Sequence, residues 1–250
     1  MWRAIALGAY RSMPLPVRRL CFAGDSRYCP VCESHVSRFV AAGVTGSRPD
    51  ARCPVCGSEE RQRIAMAFAR SRTDLLSSRP KRLLHVGSSK CLEDRLGRVQ
   101  SLEYVPADLE PVRGQIRVDI TDLAFPAGHF DMVWCCHVLE HVVDDIGAMG
   151  ELRRVLRPAG LGIIQVPISS EETIEDPSVV DPEERRLRFG QADHVRRYGR
   201  DFASRLESAG FSVDVVSPGD LLSEEERESM AIPDDEEVFA CTNLETDVRG

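Results

Sequence analysis

Beyond residue 80 the apolar residues of this chain fall into short runs that alternate with segments of helical spacing. "RLLHV" (82–86), "SLEYV" (101–105), "QIRVDI" (115–120), "FDMVWCC" (130–136) and "LGIIQVPI" (161–168) read as strands, the later ones buried on both faces. Between them "KCLEDRLG" reads as a short helix. "DDIGAMGELRRVL" (144–156) reads as a longer one, with Ile146, Met149, Leu152 and Leu156 on one face, basic residues in the last turn and Pro158–Gly160 as its stop. "GRDFASRLESAG" predicts a helix ended by Gly210, and "FSVDVV" and "EEVFACTN" predict two late strands. Such alternation predicts an α/β fold: an open, mostly parallel sheet with helices on both faces, whose ligands sit at the carboxyl ends of the strands.

The first 80 residues carry a different pattern. "SEERQRIAMAFARSR" (58–72) predicts a helix with Ser58 as N-cap, Glu59 and Glu60 in the first turn, and Ile64, Ala67 and Phe68 on its apolar side. Ahead of it stand two "CPVC" knuckles, Cys29–Cys32 and Cys53–Cys56, in the spacing C-x2-C-x20-C-x2-C. Each knuckle aims two sulfurs at one point, so the pair predicts a closed tetrahedral zinc site formed by Cys29, Cys32, Cys53 and Cys56. Thiol redox chemistry uses one such pair at the start of a helix in a βαβ unit, which is not the context here. A site with four protein ligands has no open position, so the zinc is structural and catalysis belongs elsewhere. His35 is read as a loop residue, not a further ligand.

Charge follows the same division. Residues 1–80 hold 13 arginines against six carboxylates, whereas residues 81–250 hold 19 basic side chains against 34 acidic ones. A basic module precedes an acidic body. Solvated faces explain most such asymmetry, and the acidic body argues against a nucleic-acid partner without closing that possibility for the module. Nine cysteines, with Cys135 and Cys136 adjacent, do not suit a secreted disulfide framework. The apolar run Ala4–Tyr10 is closed by Arg11 with no cleavage pattern, and no stretch is long enough to span a bilayer. A cytoplasmic protein without membrane attachment is the expectation; the oligomeric state is not written in the sequence.

The turn "LLHVGSSKCLEDRL" (83–96) is where α/β proteins hold a nucleotide, yet Gly87 is its one early glycine. A dinucleotide needs several, because its pyrophosphate lies against bare backbone. S-adenosylmethionine has no phosphate and needs only one close approach, provided carboxylates hold the nucleoside. Asp108, just after "SLEYV", stands where a ribose-binding acid belongs, and Asp119 with the Ile120 backbone stands where adenine would be met.

The stretch "VDITDLAFPAGHFDMVWCCHVLEHVVDDIGAMGELRRVLRPAGLGIIQVP" (118–167) resembles the class I S-adenosylmethionine-dependent methyltransferases of the type 11 kind, in its order of acid, Leu-x-Phe-Pro, Phe-Asp, Val-Leu-Glu-His, Arg-Pro-x-Gly and strand. The resemblance covers roughly residues 80–242. "CPVCGSEERQR" and "FGQADHVRRYGRDF" are similar to a branch of that family with an N-terminal zinc ribbon. It implies a Rossmann-like fold preceded by the ribbon, with 1–57 as N-terminal segment and ribbon, 58–80 as connecting helix and linker, and 81–250 as the methyltransferase domain. It also implies Gly87 for the cofactor loop, Asp108 for ribose, Asp119 and Ile120 for adenine, and Cys136 and His137 as the wall beside the methionine portion. The chain departs from the pattern at His85, where the family carries an acid, and at Ser88–Ser89, where it carries glycines. Only ten residues separate Asp108 from Asp119, too few for a crossover helix, so that sheet edge is expected to be abbreviated.

"HVLEH" (137–141) matches a zinc-protease pattern, but that chemistry needs both histidines on one helix, and here the motif directly follows a strand. Glu140 and His141 are read as local hydrogen-bond partners. Methyl transfer needs alignment and, for an N–H or O–H acceptor, a base. The long connection 171–202 suits a lid, and within it His194, oriented by Asp193 and accompanied by Tyr198, is the candidate catalytic group. The expected activity is transfer of a methyl group to nitrogen or oxygen of a small-molecule acceptor. The alternatives are an RNA or protein methyltransferase guided by the basic ribbon, and a cofactor-binding protein that has lost catalysis.

Overall fold

The structure is a computed structural model and describes residues 13–43, 48–112 and 114–244; the apolar run Ala4–Tyr10 lies outside them. Two compact units emerge. Of the described residues, the first comprises those from 13 to 73 together with 90–95 and 217–236; the second comprises those in 74–89, 96–216 and 237–244. The first unit thus draws two segments from the stretch expected as one domain.

In the first unit, helix α1 (Leu15–Cys21) precedes a hairpin of β1 (Arg27–Cys29) and β2 (Ser34–Val36) and a second of β3 (Val40–Ala42) and β4 (Arg48–Arg52). Helix α2 (Glu60–Arg72) follows. Its N-cap is Glu59, one residue later than expected, in a capping box with Gln62. The helix is not amphipathic in the manner predicted: Gln62, Arg63, Ala65, Met66 and Ala69 are buried along with Ile64, Ala67 and Phe68. A helix enclosed all round must satisfy its polar side chains internally. Arg63 does so as a hub, donating to the carbonyls of Ala51 (2.8 Å), Ser58 (3.1 Å), Met230 (2.6 Å) and Ala231 (2.9 Å) while its guanidinium lies over Phe39. Three parts of the unit are thereby tied to one side chain.

The second unit is built on strands β5 (Lys81–Val86), β6 (Leu102–Asp108), β7 (Ile116–Arg117), β8 (Phe130–Cys136), β9 (Leu156–Gln165), β13 (Phe211–Val216) and β14 (Val238–Asn243). They form one seven-stranded sheet in the order β13-β14-β9-β8-β5-β6-β7. The neighbours from β9 to β7 pair in parallel, and β14 runs antiparallel to both β9 and β13. This is the expected Rossmann-like sheet. Helices α4 (Asp145–Val155) and α6 (Phe202–Ser208) supply Ala148, Met149, Leu152, Phe202 and Leu206 to a core shared with Leu84, Val86, Val133, Cys135 and Ile164 of the strands.

Three expectations are corrected. "QIRVDI" is not a full strand: only Ile116–Arg117 pair, with Asp119 in an isolated bridge to Asp122, because an edge reached by so short a connection has one neighbour alone. Ile146 faces outward, 38% exposed, since α4 packs through Ala148, Met149, Leu152 and Val155. Pro158–Gly160 lie in the irregular beginning of β9, which starts at once where α4 stops.

Residues 171–202 are folded. Strands β10 (Ile168–Ser170), β11 (Ile174–Glu175) and β12 (Arg196–Gly199) make a small sheet in the order β10-β12-β11, with helix α5 (Pro182–Phe189) between β11 and β12. Helices α3 (Lys90–Leu96), α7 (Pro218–Leu221) and α8 (Glu224–Met230) complete the chain.

Candidate functional site

The carboxyl ends of β5, β6 and β8 bring most of the predicted cofactor residues to one edge of the sheet. Gly87 follows β5 with φ +66°, and its amide donates to the Ala107 carbonyl (3.0 Å). A Cβ there would overlap Val138 and meet the Cys136 carbonyl, so the glycine is required by the neighbouring strand end whatever occupies the crevice. Gln115 closes the loop from the other side, donating to the Ser88 carbonyl (3.2 Å) and hydroxyl (3.0 Å). Asp108 ends β6, its Oδ1 accepting from the Glu110 amide (3.0 Å). Asp119 is exposed; its Oδ1 accepts from the Thr121 amide (2.9 Å) and hydroxyl (2.6 Å), which hold its carboxyl below the usual range. Ile120 turns its side chain into the core. Cys136 is buried at the end of β8, and His137 follows in a left-handed conformation (φ +56°), its amide donating to Gln165 O (2.9 Å).

His85, standing at the family's acidic position, is not a substitute anchor. It is fully buried, with Nδ1 2.8 Å from the Tyr104 hydroxyl and its ring stacked on Trp134; burial pushes its pKa down to about 3. A neutral imidazole in the interior cannot balance an ammonium group by charge.

The predicted catalytic trio is not brought together. Tyr198 is wholly buried, its hydroxyl donating to Asp145 Oδ2 (2.8 Å), and burial raises its pKa far above the ordinary value. The Asp193 carboxylate faces His141 (Oδ2 to Nδ1, 3.4 Å), while His194 has Nδ1 3.0 Å from the Phe189 carbonyl. A carbonyl only accepts, so His194 carries its proton on Nδ1 and a lone pair on Nε2. Burial lowers the pKa of this ring, which keeps it neutral. What the structure does assemble is a different group: Glu140, His141 and His194 each place one ligand-type atom within 4.8 Å of the other two. The sequence marked Glu140 and His141 within "HVLEH" but gave no sign that His194, more than 50 positions on, would join them.

Residues 87–164 match the methyltransferase domain family of type 11. This segment belongs to that family. The methyltransferase segment therefore begins at Gly87 and contains Asp108, Asp119, Ile120, Cys136 and His137. An uncharacterized 37.1 kDa protein in transposon TN4556 of Streptomyces fradiae is 31% identical over 134 residues, which span 52% of this chain and 36% of that protein. The match thus spans about a third of that relative's length. Among solved structures, one titled "putative sarcosine dimethylglycine methyltransferase", from Galdieria sulphuraria, shares the fold at 13% identity and a TM-score of 0.52, over 73% of this chain and 86% of that one.

The methyltransferase segment is preceded by the four knuckle cysteines. Sγ of Cys29 and Cys56 lie 3.6 Å apart and those of Cys32 and Cys53 3.8 Å apart. A disulfide would bring sulfurs to about 2.05 Å. Tetrahedral zinc with bonds of about 2.3 Å sets its sulfurs roughly 3.8 Å apart. The four thiols therefore fit the metal and not a bridge. Ser58, displaced from the expected N-cap role, has its hydroxyl 3.1 and 3.2 Å from Sγ of Cys29 and Cys56; it accepts from the Cys56 thiol, and with both sulfurs deprotonated on a metal its one proton can go to either of them. The crevice residues likewise fit S-adenosylmethionine: carboxylates at Asp108 and Asp119 accept from hydroxyl or amine donors, and the loop at Gly87 has no need of a phosphate cradle. Among the described residues, no helix is long and apolar enough to cross a membrane.

Proposed function

We propose that this protein transfers the methyl group of S-adenosylmethionine to a nitrogen or oxygen of a small-molecule acceptor. The observation that carries the reading is that the methyltransferase-family segment starts at the loop of Gly87 and ends in β9, so that it holds every residue expected to line the cofactor crevice. When bound, the cofactor supplies an electrophilic methyl carbon on a sulfonium, so the protein's tasks are alignment and proton removal. Asp108 accepts from the ribose hydroxyls. Asp119 and the Ile120 backbone bind the adenine, and Cys136 with His137 walls the methionine portion. Proton removal falls to His194, whose Nδ1 is committed to the Phe189 carbonyl, so that Nε2 carries the lone pair, and whose ring meets that of His141 in the turn Leu139–His141 that follows β8. Zinc in the four-cysteine site has no open position and serves the fold alone.

Calorimetric titration of the full chain with S-adenosylhomocysteine, the product form, tests the cofactor; saturable heat is the expected result and its absence overturns the reading. Labelled-methyl transfer into fractionated small molecules, compared with transfer into RNA and protein, tests the acceptor class. Label confined to macromolecules would replace the small-molecule acceptor with the ribbon-guided alternative.

A further inference from the structure

We infer that Glu140, His141 and His194 form a second metal site, for a divalent first-row ion of the zinc class, distinct from the four cysteines. One ligand-type atom of each lies within 4.8 Å of the other two, and the imidazoles meet edge to face with centroids 4.7 Å apart. Two imidazoles and one carboxylate are a recurrent donor set for such ions when further positions stay open.

The protonation pattern points the same way. His194 is 4% exposed and its Nδ1 is committed to the Phe189 carbonyl, so its Nε2 carries a lone pair. That Nε2 is buried and has no hydrogen-bond partner among the described residues. A buried polar atom without a partner is costly and calls for an occupant. His141 repeats the arrangement: Nδ1 is 3.3 Å from the Asp193 carbonyl and 3.4 Å from its carboxylate, which leaves Nε2 as the acceptor nitrogen. Metal-binding histidines are oriented in this way, by a carbonyl or carboxylate on the far nitrogen. Glu140, 1% exposed, adds a carboxyl oxygen to the two imidazoles, with its Oε1 3.5 Å from His137 Nδ1.

The two halves of the site are held rigidly. The Val195 amide donates to the Glu140 carbonyl (2.9 Å), and Arg196 donates to the carbonyls of Leu139 (3.0 Å), Val142 and Val143 (2.8 Å). The turn that carries Glu140 and His141 is thus stapled to the segment that carries His194. A bound ion with ligand bonds of about 2.1 Å sets its ligands roughly 3.4 Å apart, so the cluster closes by at most about an ångström and a half around it. His141, with a third of its side chain exposed, is the member with room to make that adjustment while Nδ1 stays beside Asp193. The inference rests on the proposed function and revises it at one point: with Nε2 on the ion, His194 is a ligand and not the base, and the ion would lower the pKa of a bound acceptor so that its proton passes to solvent.

Zinc content of the full chain, measured after incubation with excess zinc sulfate and desalting, tests the site. Two zinc ions per chain are expected for the wild type and one for His141→Ala and for His194→Ala. The ion retained by the cysteines reports that the first unit is folded, and an unchanged urea midpoint of the second unit reports that the variant itself is folded. Cobalt(II) gives a second readout, since its second equivalent should bind without thiolate charge-transfer absorption in the wild type and fail to bind in either variant. One zinc per chain in the wild type, or two in His194→Ala, overturns the site. Titration of the same samples with S-adenosylhomocysteine separates that failure from failure of the methyltransferase reading, because the crevice residues are untouched by either change.

Discussion

Gly87 and Val138 occupy each other's space: the valine fills the position that a Cβ on the glycine would take. The glycine is therefore held by two independent demands, the left-handed φ of +66° and the contact with the end of β8. It is a packing requirement before it is a cofactor requirement.

Gly87→Ala is accordingly expected to destabilise the second unit by about 1–3 kcal/mol, of which roughly 1–2 belongs to the left-handed backbone. Urea unfolding measures the loss. The double variant Gly87→Ala/Val138→Ala should lose less than the two single changes together, because the overlap is relieved while the backbone strain stays. Additive losses would show that the Val138 contact is unimportant.

Tyr198 and Asp145 give the second prediction. Asp145 is 3% exposed and receives the Tyr198 hydroxyl (2.8 Å) and two bonds of 2.9 Å from Arg205 Nη2, with Arg196 3.4 Å away. Tyr198→Phe leaves one buried acceptor short of a donor and should cost about 1–3 kcal/mol. Affinity for S-adenosylhomocysteine should not change, and methyl transfer should fall by no more than a few-fold. A loss of transfer without a loss of stability would return Tyr198 to the reacting centre.

These two positions also indicate what the sequence could reveal. The strands β5, β8 and β13 and the knuckles were legible because each is specified locally, by a run of apolar residues or by thiols three apart. Edge strand β7 was overcalled because pairing, not composition, decides how far an edge strand extends. Ser58 has the composition of an N-cap, yet the sulfurs of Cys29 and Cys56 compete for its hydroxyl. The Asp193–His194 pairing failed for a related reason. Neighbours in a turn point apart, so Asp193 meets His141 and His194 meets the Phe189 carbonyl. Of the Glu140–His141–His194 cluster, "HVLEH" announced two members, but the third depends on a tertiary contact that no spacing rule announces.

Asp108 carries the third prediction. Its Oδ1 is engaged by one backbone amide in an exposed turn, so Asp108→Ala removes little that the fold needs. A hydrogen bond to a charged group contributes about 1.5–3 kcal/mol, which corresponds to a roughly 10–100-fold loss of affinity for S-adenosylhomocysteine with unfolding hardly moved. Calorimetry on the variant measures it, and unchanged affinity would remove Asp108 from the ribose position.

Metal removal addresses the knuckles. Cys32→Ser is expected to release the cysteine-bound zinc and to expose the first unit to limited proteolysis, since small metal-bound modules depend on their ion for folding. Ser58→Ala is the milder change, expected to keep the ion but weaken it about 10–100-fold in competition with a chelator, through loss of the hydroxyl beside two sulfurs. A Cys32→Ser chain with undiminished zinc and unaltered proteolysis would refute the structural role.

His85 makes stability depend on pH in a defined direction. Burial lowers its folded pKa from 6.5 to about 3, so between those values the unfolded chain binds a proton that the folded chain does not. Its contribution is complete above pH 6.5 and is lost as the pH falls toward 3, with a slope of up to about 1.4 kcal/mol per pH unit. His85→Gln, which retains a polar partner for the Tyr104 hydroxyl, should flatten the fall in urea midpoint between about pH 6 and about pH 4 by up to one proton's worth of slope. The change at neutral pH need not be small, because the stack on Trp134 is also lost. The slope alone decides: equal slopes in the two chains would mean that His85 is protonated in the fold and that its place beside Tyr104 is not a neutral, buried one.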